Sequence, residues 1–151
     1  MNTRQKIVKQ IIECFKKGNK ILIFGCGGSL AMASHFAAEF IGKGLPAIAL
    51  NDPTVISALA NDHSFNKVFS WQIWVLGKKG DVGIALSTSG KSKSVLEGIR
   101  KAKKLGLNVI DFPRNIEKKD DRDVAKIQEF QMTLLHKVYL AVDEYFSKIR
   151  L

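Results

Sequence analysis

Cysteine is scarce in this chain of 151 residues, which holds two, Cys14 and Cys26. A disulfide scaffold is thereby excluded, and free thiols in a cytoplasmic setting are expected. Neither cysteine has the neighbours of a structural zinc site. Long apolar runs are also missing: none reaches the ~18 residues of a membrane span. Met1 to Lys9 lacks the continuous apolar stretch and small-residue cleavage site of a secretory signal. Acidic residues are the third shortage, 14 against 24 Lys and Arg, for a net charge of +10. Such an excess suits an anionic partner: nucleic acid, a membrane surface or a phosphorylated small molecule. The lysines are spread over predicted helix ends and turns, without interleaved aromatics, as solvated surface lysines are. Neither nucleic acid nor membrane is therefore expected as a partner.

What is present suits one globular domain over residues 1–151: 46% hydrophobic and 25% charged residues, too apolar for bulk disorder. Ile7, Val8, Ile11, Ile12 and Phe15 form one helical stripe over residues 4–17, stopped by Gly18. Lys20 to Phe24 reads as a buried strand that enters Gly25-Cys26-Gly27-Gly28-Ser29, followed by an Ala-rich helix from about Leu30 to Ile41. Pro46 to Leu50, Val82 to Leu86 and Leu107 to Phe112 read as further strands. Asp52-Pro53 opens a short helix with Asp52 as N-cap. Ser64 to Leu76 reads as a helix offering Phe65, Val68, Phe69, Ile73 and Trp74 to the core, and Ser94 to Lys104 as another. Pro113 to Arg122 is charged and irregular, and one long helix follows from Asp123 to about Ile149. Strands alternating with helices predict an α/β fold with a mostly parallel sheet of about four strands flanked by helices.

Two loops at predicted strand ends are rich in Gly and Ser, at the sheet edge where open parallel sheets bind ligands. The first departs from a dinucleotide fingerprint, because Leu30 stands where its last glycine is required. The second, A-L-S-T-S-G-K-S over 85–92, departs from an NTPase phosphate loop, because Ala85 stands where glycine is required. Both instead place hydroxyls and backbone N–H groups at helix N-termini, which suits a phosphate monoester. The same serines could serve only as caps and turn formers; two such loops on neighbouring strand ends favour phosphate.

His35 and Glu39 stand one helical turn apart, on one face of the helix after the first loop. Such a pair can hold a divalent metal or an acid and base, but spacing alone favours a plain surface pair.

G-C-G-G-S after the first strand and S-T-S-G-K-S after the third resemble the sugar isomerase (SIS) domain. Joined by H-F-A-A-E-F at 35–40, P-A-I-A-L at 46–50, A-L-A-N-D at 58–62, G-D-V at 80–82 and K-I-Q-E at 126–129, they are similar to the phosphoheptose isomerases. That resemblance implies a three-layer SIS domain and an aldose–ketose isomerase acting on sedoheptulose 7-phosphate through an enediol, for bacterial heptose synthesis. It implies one zinc held by His35, Glu39, Gln128 and His136, with Glu39 and His136 as catalytic acid–base groups. Substrate contacts would come from Cys26, Gly27, Gly28, Ser29, Asn61, Asp62, Ser87, Thr88, Ser89, Ser92 and Gln128. It also implies a homo-oligomer, a tetramer with sites between subunits. Ile7, Ile11, Phe15, Leu134, Val138, Val142 and Phe146 are read here as packing between chains. No ligand of the family falls at His63.

On a regular helix, Gln128 and His136 are separated by a rise of about 12 Å and a rotation of about 80°, a poor arrangement for one ion. The chain departs from the family at Cys26 (usually Asn), Lys43 (usually Arg) and Gln131 (often His). It is also about fifteen residues short between the fourth strand and K-I-Q-E, against ordinary loop lengths, which leaves one strand fewer than the family carries. Two other functions fit the resemblance: a non-catalytic interaction module, whose relatives lack the counterparts of Glu39 and His136, and a protein sensing or isomerising another sugar phosphate.

Overall fold

A computed structural model describes the backbone of residues 1–150 and the side chains of residues 1–149. Four parallel strands form one sheet: β1 (Ile21–Gly25), β2 (Ala47–Ala49), β3 (Val82–Leu86) and β4 (Asn108–Asp111), in the order β2-β1-β3-β4. The α-helices are α1 (Thr3–Lys16), α2 (Gly28–Ile41), α3 (Pro53–Asp62), α4 (Val68–Leu76), α5 (Lys93–Lys104) and α6 (Asp121–Arg150).

The order follows from hydrophobicity. Every residue of β1 and β3 is buried, whereas β2 and β4 mix buried, half-buried and exposed positions. Only a strand covered on both faces tolerates an unbroken apolar run, so ILIFG and VGIAL take the centre. Successive side chains alternate faces. Ile21 and Ile23 join Ile11, Phe36, Phe40 and Val138 beneath α1, α2 and α6. Leu22 and Phe24 join Phe69, Ile73 and Val95 beneath α4 and α5. Each fully buried side chain of this size contributes about 1.5–3 kcal/mol.

Asp81, almost fully buried at the start of β3, accepts hydrogen bonds from the Lys20 N–H (3.1 Å) and the Lys78 N–H (2.8 Å) and pairs with Lys20 Nζ at 2.6 Å. The G-D-V segment thus pins the N-terminal ends of β1 and β3, at the sheet edge opposite both loops.

Several sequence expectations are corrected. The helix expected over 64–76 is a 3₁₀ turn, Phe65–Lys67, followed by α4. Phe65 and Trp74 are 50% and 54% exposed rather than in the core. The turn resets the helical phase, and α4 spends Val68, Phe69 and Ile73 on the sheet instead. The apolar residues of the first and last helices do not wait for another chain. Ile7, Ile11, Phe15, Val138 and Val142 are buried within this one, with Leu134 and Phe146 packed against them, because α1 and α6 lie side by side over the sheet. His63 stacks on Trp71, ring centroids 3.9 Å apart.

Candidate functional site

The chain leaves β1 to one side to form β2 and leaves β3 to the other side to form β4. The switch point therefore lies between the ends of β1 and β3, where open α/β sheets bind ligands. Both Gly/Ser loops leave from these two strand ends. Gly25 and Leu86 are register partners. The loops meet closely there: a Cβ on Gly25 would stand 2.7 Å from the Leu86 carbonyl oxygen and 2.8 Å from Ser29 Cβ.

The helices that follow begin without a side-chain cap, as does α4, whereas α1 and α3 are capped. α1 starts with a capping box between Asn2 and Gln5, and Asp52 caps α3. α2, with Gly27 at its N-cap, and α5, with Ser92, receive no side-chain cap. First-turn N–H groups and the positive end of the helix dipole therefore face the crevice without an internal anion substitute.

The serines divide. Ser87 Oγ accepts from the Gly90 N–H and Ser89 Oγ from the Lys91 N–H, both at 3.0 Å. Each shapes its loop and still has a hydroxyl proton to donate. Ser92 Oγ is 3.2 Å from Ser94 Oγ. Thr88 is half-buried in the same loop, and Ser29 is buried at the start of α2, with Cys26, Gly27 and Gly28 exposed before it. Asn61 and Asp62 lie at the far end of α3, exposed and hydrogen-bonded to each other at 3.0 Å. Running the length of that helix carries them about 15 Å from its start.

α2 and α6 run parallel, side by side. Gln128 faces Gly28, where a Cβ would collide with the Gln128 amide. His136 faces His35, and Asp143 pairs with Lys43 at 3.3 Å. His35 Nε2 lies 3.1 Å from His136 Nε2 and 3.3 Å from Glu39 Oε1. The three residues each bring a ligand atom within 4.8 Å of the other two. His35 is about half exposed and Glu39 less so, so the cluster is open to solvent on one side. Gln128, expected as a fourth ligand, sits about two turns earlier on α6, at the loop end of the crevice. Tyr139 packs beneath the cluster. Burial first, and then Asp143 and Glu39, hold its phenol above the ordinary value, with Lys43 opposing.

The donor set suits a cation. Two imidazole nitrogens and a carboxylate oxygen converge, and their lone pairs repel unless a proton or a metal lies among them. Two His and a Glu, with an open side, form the set that zinc takes in catalytic sites.

Sequence reasoning missed Arg114 and the position of Gln131. Arg114 Nε donates to the Ser87 carbonyl at 2.9 Å. Gln131, fully buried, turns Nε2 toward the carbonyls of Pro113 (3.3 Å), Ser87 (3.4 Å) and Phe112 (3.5 Å). Its Oε1 has no partner among the described residues. Nothing local marks Arg114, one of several charges in an irregular segment.

The site and fold define a SIS domain, and that family matches residues 3–112. The phosphoheptose isomerase of Thermodesulfovibrio yellowstonii is 41% identical over 165 aligned residues, covering 95% of this chain and 82% of that one. A probable phosphoheptose isomerase of Thermoplasma acidophilum is 40% identical, covering 93% and 87%. The structure of the phosphoheptose isomerase from Neisseria gonorrhoeae superposes with a TM-score of 0.85 at 32% identity, covering 92% of this chain and 84% of that one. This chain belongs to the phosphoheptose isomerase family of SIS-domain proteins. The 165-residue alignment is longer than the 151-residue chain, so the Thermodesulfovibrio protein carries residues this chain lacks.

Proposed function

We propose that this protein is an aldose–ketose isomerase that converts sedoheptulose 7-phosphate to D-glycero-D-manno-heptose 7-phosphate, for bacterial heptose synthesis. The observation that carries the reading is the spacing of the two halves of the site along α2. Its uncapped N-terminus lies beside the second loop, and the His35–Glu39–His136 cluster follows about two turns, or 10 Å, further on. With carbon–carbon bonds of about 1.5 Å, an extended seven-carbon chain places its terminal phosphate on the order of 9 Å from the carbons that react. The phosphate then lies on the uncapped N-termini of α2 and α5, with Ser29, Thr88, Ser89 and Ser92 donating hydroxyls. C1 and C2 lie at the cluster.

Glu39 takes the carbon-bound proton and returns it to the neighbouring carbon. His136 exchanges protons with the sugar oxygens, so the enediol forms and collapses without free ions. Zinc, held by His35, Glu39 and His136, would polarise the sugar carbonyl. Gln128, at the loop end of α6, is placed to hydrogen-bond the middle of the sugar, and it reaches the cluster only by swinging away from Gly28. Asn61 and Asp62, exposed at the far end of α3, would complete a site between subunits of a homotetramer. The setting proposed is cytoplasmic.

NMR of sedoheptulose 7-phosphate with the pure protein tests the reading. The aldose should accumulate, chelator should stop it and zinc restore it. Phosphorylated triose, pentose and hexose ketoses should turn over more slowly as the chain shortens. Equal turnover of the triose would remove the spacing argument.

A further inference from the structure

We propose that Arg114 is a positioning residue for the substrate phosphate, which builds on the phosphosugar reading above. Arg114 opens the shortened segment after β4. Its Nε donates to the Ser87 carbonyl at 2.9 Å and its Nη2 to Asp111 Oδ1 at 2.7 Å. The guanidinium therefore bridges the end of β4 to the loop after β3. It also lies flat against Gly90: a Cβ there would be 3.0 Å from Cζ. Gly90 has φ of 68°, so both the left-handed backbone and the guanidinium reserve this position for glycine.

The consequence is electrostatic. An anion site made of backbone needs its N–H groups turned toward the anion and its carbonyls turned away. The carbonyl of buried Ser87 opens the loop, and Arg114 holds it turned inward, with Gln131 as second donor at 3.4 Å. The Gly90 N–H is held in turn by Ser87 Oγ. One side chain thus fixes carbonyl direction and the glycine turn, and brings a guanidinium, paired with Asp111 at 2.7 Å, to the loop. Its outer face shares with Ser89 and Gly90 the wall of a cavity of about 570 Å³, so the charge stands beside the loop rather than beneath the core. Lysine could supply the charge but not both hydrogen bonds.

Steady-state kinetics with sedoheptulose 7-phosphate, and competitive inhibition by inorganic phosphate, test the role in the full chain. Arg114→Ala should raise KM and the phosphate Ki together by about tenfold, as expected for losing an organised charge-assisted contact, with kcat falling less. Arg114→Lys should recover less than half of the loss. If Arg114→Ala does not fold, Arg114→Gln, which keeps a single donor, carries the same comparison. KM and phosphate Ki within twofold of the parent in these variants would overturn the proposal, as would full rescue by lysine. A parent protein with neither turnover nor phosphate inhibition overturns the phosphosugar reading itself.

Discussion

His35 and His136 are 101 positions apart in the chain, yet their Nε2 atoms stand 3.1 Å apart with the rings edge to face. Parallel packing of α2 on α6 creates the contact and brings Glu39 into the same cluster. A cluster built from two helices can be dismantled one member at a time without dismantling the fold, because His35 and His136 face solvent.

Glu39→Gln preserves shape and helix propensity while removing basicity. Turnover is expected to fall about 100-fold or more, the scale of a positioned general base. Thermal stabilisation by the phosphosugar should persist, since both loops are intact. His136→Gln should behave alike, and the double variant should cost less than the product of the two. Solvent deuterium incorporation at C1 or C2 is the check. A Glu39→Gln enzyme with normal exchange sinks the assignment. Lost zinc with activity restored by excess metal would leave Glu39 a ligand alone and move the base role to His136.

Ser89→Ala removes a hydroxyl that accepts from the Lys91 N–H and lines the cavity beside Arg114. Phosphosugar affinity measured by calorimetry should weaken by about 1.5–3 kcal/mol. Lys91→Ala should matter less, because its exposed side chain makes no hydrogen bond or ion pair among the described residues. Dominance of Lys91, together with nucleoside triphosphate binding, would restore the NTPase-loop alternative.

Asp81→Ala should act on stability and not on the site. The substitution strands the Lys20 ammonium and two N–H groups that Asp81 now satisfies. Denaturant unfolding should show a loss of about 3 kcal/mol, the scale of breaking a buried ion pair. KM should hold, because the pin lies at the opposite edge of the sheet. A changed KM at unchanged stability would contradict this division.

The two thiols should differ in reactivity. Cys26 is exposed in the first loop and should react with a thiol reagent at pH 8. Cys14 is buried, and burial pushes its thiol up to about 11, so it should react only on unfolding. The sign for stability follows. Above about pH 8.5 the unfolded chain sheds this proton while the folded chain keeps it. Stability should therefore fall as pH rises toward 11. Alkaline unfolding of the parent and of Cys14→Ala, compared by slope, reads it out.

Much of the molecule was legible because the relevant signals are local. Apolar runs marked β1 and β3 as strands, and glycines and serines marked the two loops that leave their ends. His35 and Glu39 were paired by one turn of helix. What the residues alone could not state is which distant groups meet. That His136 meets this pair while Gln128 meets Gly28 depends on the register of α6 along α2, set by Val138, Leu135 and Phe36 packing over the sheet. The inward placement of Ile7, Ile11 and Val142, read from sequence as contacts between chains, follows from α1 lying against α6. Arg114 owed its place to the short segment after β4, which lets a guanidinium in a charged stretch fold back onto Gly90. Periodicity and motif act over a few residues, whereas the site is assembled by helix packing and a loop that returns, which only the tertiary structure decides.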